Sequence, residues 1–131
     1  DLETAEMCIR AALAGRLVSS IPYPVINLAG KTTLIQLASI FRRAALLISN
    51  DSGPVHMAVA CGLPVVVLFG RNQPGIGPVR WGPLGEKDIY LHKQVGCLEC
   101  LAHNCQKGFM CLQSIEIKEV LDAVDRILKV C

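Results

Sequence analysis

Two short apolar runs, "ALLIS" at 45–49 and "VVVLF" at 65–69, limit most tightly what this chain can fold into. Each is continuous rather than alternating, the pattern of strands covered on both faces, as in parallel sheets flanked by helices. Between them, Pro54 to Cys61 read as a helix that stops at Gly62 and Pro64. A helix connecting two strands is a crossover, so the strands are expected to lie parallel and adjacent. The fold class is therefore α/β, a parallel sheet with helices against it.

The remaining chain fits that plan. Leu2, Ala5, Ile9, Ala12 and Leu13 recur at helical spacing over 2–14, and Gly15 follows as a stop. "IPYPVINLAG" carries two prolines that forbid helix, and predicts a short strand from Val25 to Leu28. In "TTLIQLASIFRRA", Thr33 and Gln36 have capping-box spacing, while Leu34, Leu37, Ala38 and Phe41 mark one helical face. Arg42 and Arg43 are placed in that helix's last turn, complementing its dipole. Residues 71–87 read as a long irregular loop. A terminal helix then sets Val120, Leu121, Val124, Ile127 and Leu128 on its inward face. At 131 residues and 52% hydrophobic, residues 1–131 are read as a single domain with enough apolar surface for a core.

Charge and composition exclude several functions. A net charge of +2 with interspersed signs and 5% aromatics offers neither a phosphate-gripping face nor a stacking platform for nucleic acid. No apolar run is long enough to predict a transmembrane segment, and "DLETAEMCIR" lacks the basic start of a signal peptide. The chain starts without Met, directly in helix-like sequence, so an upstream portion is expected to be missing. Seven cysteines are an odd count for a secreted disulfide framework, which favours a reducing cytoplasm.

"NDSGPVH" stands at the seam between the first apolar run and the helix after it. Ligands of open parallel sheets bind outside the carboxyl ends of the strands, where this segment falls. Pro54 suits a first helical position, leaving backbone N–H groups at Ser52 and Gly53 free for an anion. Gly53 permits close approach, the Ser52 hydroxyl can donate, and His56 is one turn further along. Asp51 would repel an anion and is better suited to sugar hydroxyls or to capping the helix. The same residues also make a plain helix start with no ligand, and His56 alone also reads as a surface histidine.

The stretch from Asn27 to Gly70 resembles the carboxyl-terminal domain of glycosyltransferase family 9, the lipopolysaccharide heptosyltransferases. That family's motif, Asp-Thr/Ser-Gly-Pro-x-His before a helix and a strand ending in Phe-Gly, is matched at positions 51–56 and 65–70. The resemblance implies half of a GT-B fold, a Rossmann-like parallel sheet, and transfer of heptose from an ADP donor with inversion. It implies that Ser52 and Gly53 hold the diphosphate with His56 nearby, that Asp51 reaches the sugar, that Thr32 lies by the adenine and that Glu3 lies by the ribose. Thr32 also reads as a capping residue and Glu3 as a first-turn acid. The acceptor is lipopolysaccharide core, reached through an amino-terminal domain that also holds the catalytic base and is not found here. The chain thus looks like a fragment, inactive alone, of an enzyme placed in the cytoplasm at the inner face of the inner membrane.

"CLECLAHNCQKGFMC" places Cys97, Cys100, Cys105 and Cys111 within one short segment. A CxxC followed by two more thiols could wrap a structural zinc, although the later spacings are not those of a common zinc ribbon. Free thiols are the alternative, and His92 and His103 read either as extra ligands or as loop histidines. Catalysis itself is expected to require no cofactor. Two rival functions stay open: a non-catalytic nucleotide-binding or zinc-stabilised interaction module, and a GT-B-fold nucleotide-sugar 2-epimerase. The epimerases resemble this chain in an Asp followed by a Ser-Gly helix start, but continue with glycine and acids where this chain has Pro54, Val55 and His56.

Overall fold

The structure, a computed structural model, describes Ile26, Leu28, residues 30–71, Gln73, residues 75–97, Cys100 and residues 104–129. The chain divides into two compact units, Asp1–Thr32 and Thr33–Cys131. In the first, Gly30 turns the chain at a φ of +69°, and the Lys31 N–H donates to the Leu28 carbonyl at 3.0 Å. Ile26 and Leu28 are exposed and not in a strand. Val25, Glu3 and the helix expected over 2–14 lie outside the described residues.

The second unit runs α1 (Leu34–Phe41), β1 (Leu47–Asn50), α2 (Gly53–Ala60), β2 (Val65–Phe69), α3 (Pro78–Trp81), β3 (Ile89–His92), α4 (Met110–Gln113) and α5 (Ile117–Lys129). The strands form a three-stranded sheet in the order β1-β2-β3, parallel throughout. Leu47 pairs with Val65 and Val66 with Ile89, so β2 has a strand on either side. Every residue of β2 is buried, as its unbroken apolar run requires. Helices flank the sheet, and the Rossmann-like α/β class read from the sequence holds.

Several elements differ from expectation. The first strand begins at Leu47 rather than Ala45, extends to Asn50 and is only half-buried. Its expected full burial fails because, among the described residues, only β2 lies beside it. The third strand, in "DIYLH", escaped the sequence reading, and α3 breaks the loop placed at 71–87. Helix α1 has its capping box, with Thr33 and Gln36 bonded reciprocally, but ends at Phe41, leaving Arg42 as its C-cap rather than in its last turn. The inward face of α5 is Val120, Ala123 and Ile127, whereas Leu121 and Leu128 are largely exposed. Ala123 is the buried residue between Val120 and Ile127, and Val124 is only partly buried.

One core groups Phe41, Val55, Ala58, Leu63, Val65, Val67 and Phe69, joining α1, α2 and β2. Asp88 ties the ends of the strands together: its carboxylate accepts from the Val65 N–H at 3.1 Å and the Gly85 N–H at 2.7 Å. His92 ends β3 and is no loop residue. Its Nδ1 is 2.9 Å from the Phe69 carbonyl, and because a carbonyl only accepts, that nitrogen carries the hydrogen.

Candidate functional site

The carboxyl ends of β1 and β2 meet the start of α2, and the motif residues gather there. The Asp51 N–H donates to the Leu68 carbonyl at 3.2 Å, which continues the ladder one residue past β1. Ser52 then adopts an extended backbone, φ −162° and ψ 165°, as the N-cap of α2. Its hydroxyl donates to the Asn50 carbonyl at 3.2 Å and lies 3.4 Å from Ser49 Oγ, so no side chain caps the helix. Asp51 does not cap it either.

The helix opens at Gly53, one residue earlier than the sequence suggested, which puts Pro54 at its second position rather than its first. Among the described residues, the backbone N–H groups of Ser52 and Gly53 donate to no protein acceptor. Val55 and Ala58 anchor α2 in the core, so this helix end is fixed while its first N–H groups keep no protein partner among the described residues. A Cβ built on Gly53 would meet nothing within 4 Å, and its φ is not in the left-handed range. The fold itself therefore makes no demand for glycine at that position. What the glycine provides is an exposed helix start with no side chain beside two amide donors.

Charge accumulates around that opening. Burial pushes the Asp51 carboxyl above its ordinary value, and the nearby His56 and Arg71 pull it partly back. His56 is exposed and meets Trp81 edge-on, ring centres 6.2 Å apart at 68°. The Arg80 guanidinium lies 5.4 Å from the Trp81 ring centre. The structure thus brings Asp51, Ser52, Gly53 and His56 together and adds Arg71, Arg80 and Trp81, which the sequence reading missed. The available signal was Gly77-Pro78, a helix start inside an apparent loop. Thr32 is exposed and belongs to the first unit, and Glu3 is outside the described residues.

Cys61, Cys97, Cys100, Cys105 and Cys111 are free thiols. The Cys111 thiol donates to the Gly70 carbonyl at 3.0 Å, and Cys105 Sγ accepts from the Phe109 N–H at 3.2 Å. Burial pushes the Cys111 thiol up, and Cys105, Cys100 and Cys97 add to the rise. Four thiols suit zinc chemically, but among the described residues no three Cys, His, Asp or Glu side chains are gathered closely enough to hold an ion. His103 is outside the described residues.

Known proteins agree with the motif. The family model described as glycosyltransferase family 9 (heptosyltransferase) matches residues 4–110. Lipopolysaccharide heptosyltransferase 3 of Escherichia coli K12 is 30% identical over 105 residues, covering 80% of this chain and 29% of its own. Lipopolysaccharide heptosyltransferase 2 of Salmonella typhimurium is 38% identical over 82 residues, 63% of this chain and 21% of its own. Lipopolysaccharide core heptosyltransferase OpsX of Haemophilus influenzae is 44% identical over 48 residues, 37% and 14%. The chain thus spans under a third of the length of these relatives, and no solved structure matches it significantly. A match over most of the chain, on a parallel sheet with the Asp-Ser-Gly-Pro-x-His turn at its carboxyl edge, assigns this protein to glycosyltransferase family 9.

Proposed function

We propose that this chain supplies the donor half of a heptosyltransferase acting in lipopolysaccharide core synthesis, and that the opening at α2 binds the diphosphate of an ADP-heptose donor. The observation that carries this is the pair of N–H groups at Ser52 and Gly53 that donate to no protein acceptor among the described residues, at a helix start where Gly53 is exposed and carries no side chain. Backbone donors at a helix start, aided by the helix dipole, suit a phosphate. His56 and Arg71 add positive potential, and Asp51 offers a carboxylate to sugar hydroxyls.

As the bond between the sugar and ADP breaks, negative charge grows on the departing diphosphate. Fixed donors stabilise that charge more than they stabilise the ground state, which accelerates transfer. Attack from the face opposite ADP inverts the sugar carbon. A base must take the proton of the acceptor hydroxyl, and none of the residues gathered here is assigned that role. This chain alone therefore binds donor without transferring it, and the acceptor belongs to a domain beyond it. Family membership favours the transferase over the epimerase reading. Among the described residues no helix is long and apolar enough to cross a membrane. A peripheral place at the inner face of the inner membrane fits the substrate.

Calorimetric titration tests the site. The native chain should bind ADP and ADP-heptose, and Gly53→Asp should lose both by at least about tenfold, since it sets a carboxylate against the diphosphate. Gly53→Ala, which has open space in the fold, is the folding control. Equal ADP binding by the native and Gly53→Asp chains would refute the assignment.

A further inference from the structure

Trp81 is the chain's only tryptophan, and it stands 45% exposed at the rim of the proposed diphosphate site. Its helix is short but firmly placed. Pro78 is buried, the Trp81 N–H donates to the Gly77 carbonyl at 3.1 Å, and the Gly82 N–H donates to the Pro78 carbonyl at 2.8 Å. The ring meets His56 edge-on and has Arg80 for company, yet nearly half of it remains in water. A rigid aromatic surface beside a polar opening is the usual material of a small-molecule site.

We infer that Trp81 forms the wall against which the transferred sugar lies, and so is a specificity-determining residue of the donor site. This rests on the diphosphate reading above. A sugar ring has an apolar C–H face and a polar rim of hydroxyls. A sugar joined to a diphosphate at Ser52 and Gly53 extends past His56, the residue one turn into α2, and the indole lies against that histidine. The indole supplies the apolar surface that the C–H face requires. The Asp51 carboxylate, within the field of His56 and Arg71, supplies a partner for hydroxyls. A donor whose sugar lacks a matching C–H face would lose the stacking contact while keeping the diphosphate contacts.

The test compares ADP with ADP-heptose on the whole chain. In the native protein ADP-heptose should shift or quench the single tryptophan emission, and ADP should change it little. Trp81→Ala should weaken ADP-heptose by about tenfold and leave ADP within about twofold, while Trp81→Phe, which keeps a ring, should retain most of the affinity. Unchanged ADP-heptose affinity in Trp81→Ala would overturn the proposal. So would equal losses for ADP and ADP-heptose in a variant with native circular dichroism, because the ring would then serve the nucleotide. Fluorescence of the unsubstituted chain decides the matter even where the alanine variant fails to fold. If the native chain binds ADP and Gly53→Asp does not, yet ADP-heptose leaves Trp81 silent, the sugar wall fails and the diphosphate reading stands.

Discussion

Asp51 is held against its chemistry. Burial disfavours its charged form, and His56 and Arg71 offset only part of that, so its pKa lies above the ordinary 3.8. For an acid with a raised folded-state pKa, the folded protein binds more protons than the unfolded chain between the two values. Stability therefore falls as pH rises through that window, and the penalty is complete above it. Asp51→Asn should accordingly melt higher than the native chain at pH 7, with the difference vanishing as pH drops to the ordinary value. Thermal melts across that range check it, and a pH-independent difference would contradict the sign. Asp51, Ser52, Gly53 and His56 could be read as one group from the sequence because they fall within a single short stretch at a strand-to-helix seam. Arg71, Arg80 and Trp81 were illegible because their roles depend on where a loop returns, and local spacing carries no such information.

At the level of elements, the strength of local pattern decided what could be read. The buried run of β2 and the capping box of α1 are local signals, and the structure keeps both. Strand β3 alternates weakly over four residues, and its place is set by Asp88 and His92 contacts to distant strand ends. Helix α3 is similarly hidden among prolines and glycines, yet it positions Trp81. Gly82 closes that helix in a buried site where an added Cβ would overlap the Pro78 carbonyl oxygen. Gly82→Ala should therefore displace α3, at a cost of about 1–3 kcal/mol in denaturant unfolding, and shift the Trp81 emission in the absence of ligand. An unshifted spectrum with native stability would show that α3 tolerates the methyl group.

Across the whole unit, the sheet edge and the last helix are joined by charge as well as packing. Lys93, just past β3, places its ammonium 2.6 Å from Glu119 Oε1, and Glu119 Oε2 accepts from the Glu116 N–H at 2.9 Å. Those bonds, led by the one to Lys93, hold the Glu119 carboxyl below its ordinary 4.5. A lowered acid pKa adds stability that is present above the ordinary value and lost as pH falls through the folded one. Both side chains are about one-third exposed, so Glu119→Gln should cost only about 0.2–1 kcal/mol near pH 7 at low salt. Urea titrations at two salt concentrations should show the loss shrinking in high salt, and a salt-independent loss would assign it to packing instead.

The bond from the Cys111 thiol to the Gly70 carbonyl bears on where this protein could be cut. The family model's match ends at residue 110, and every described residue of the candidate site lies before that point. A truncation there would look harmless on an alignment. It would nevertheless strip the donor from the Gly70 carbonyl, remove the Leu112 side chain packed where a Gly70 Cβ would stand, and uncover the sheet beneath Val120, Ala123 and Ile127. The smallest piece able to carry the proposed donor site therefore extends well past the smallest piece that displays the motif, because the strand ends beneath it are buttressed by residues that the motif does not include.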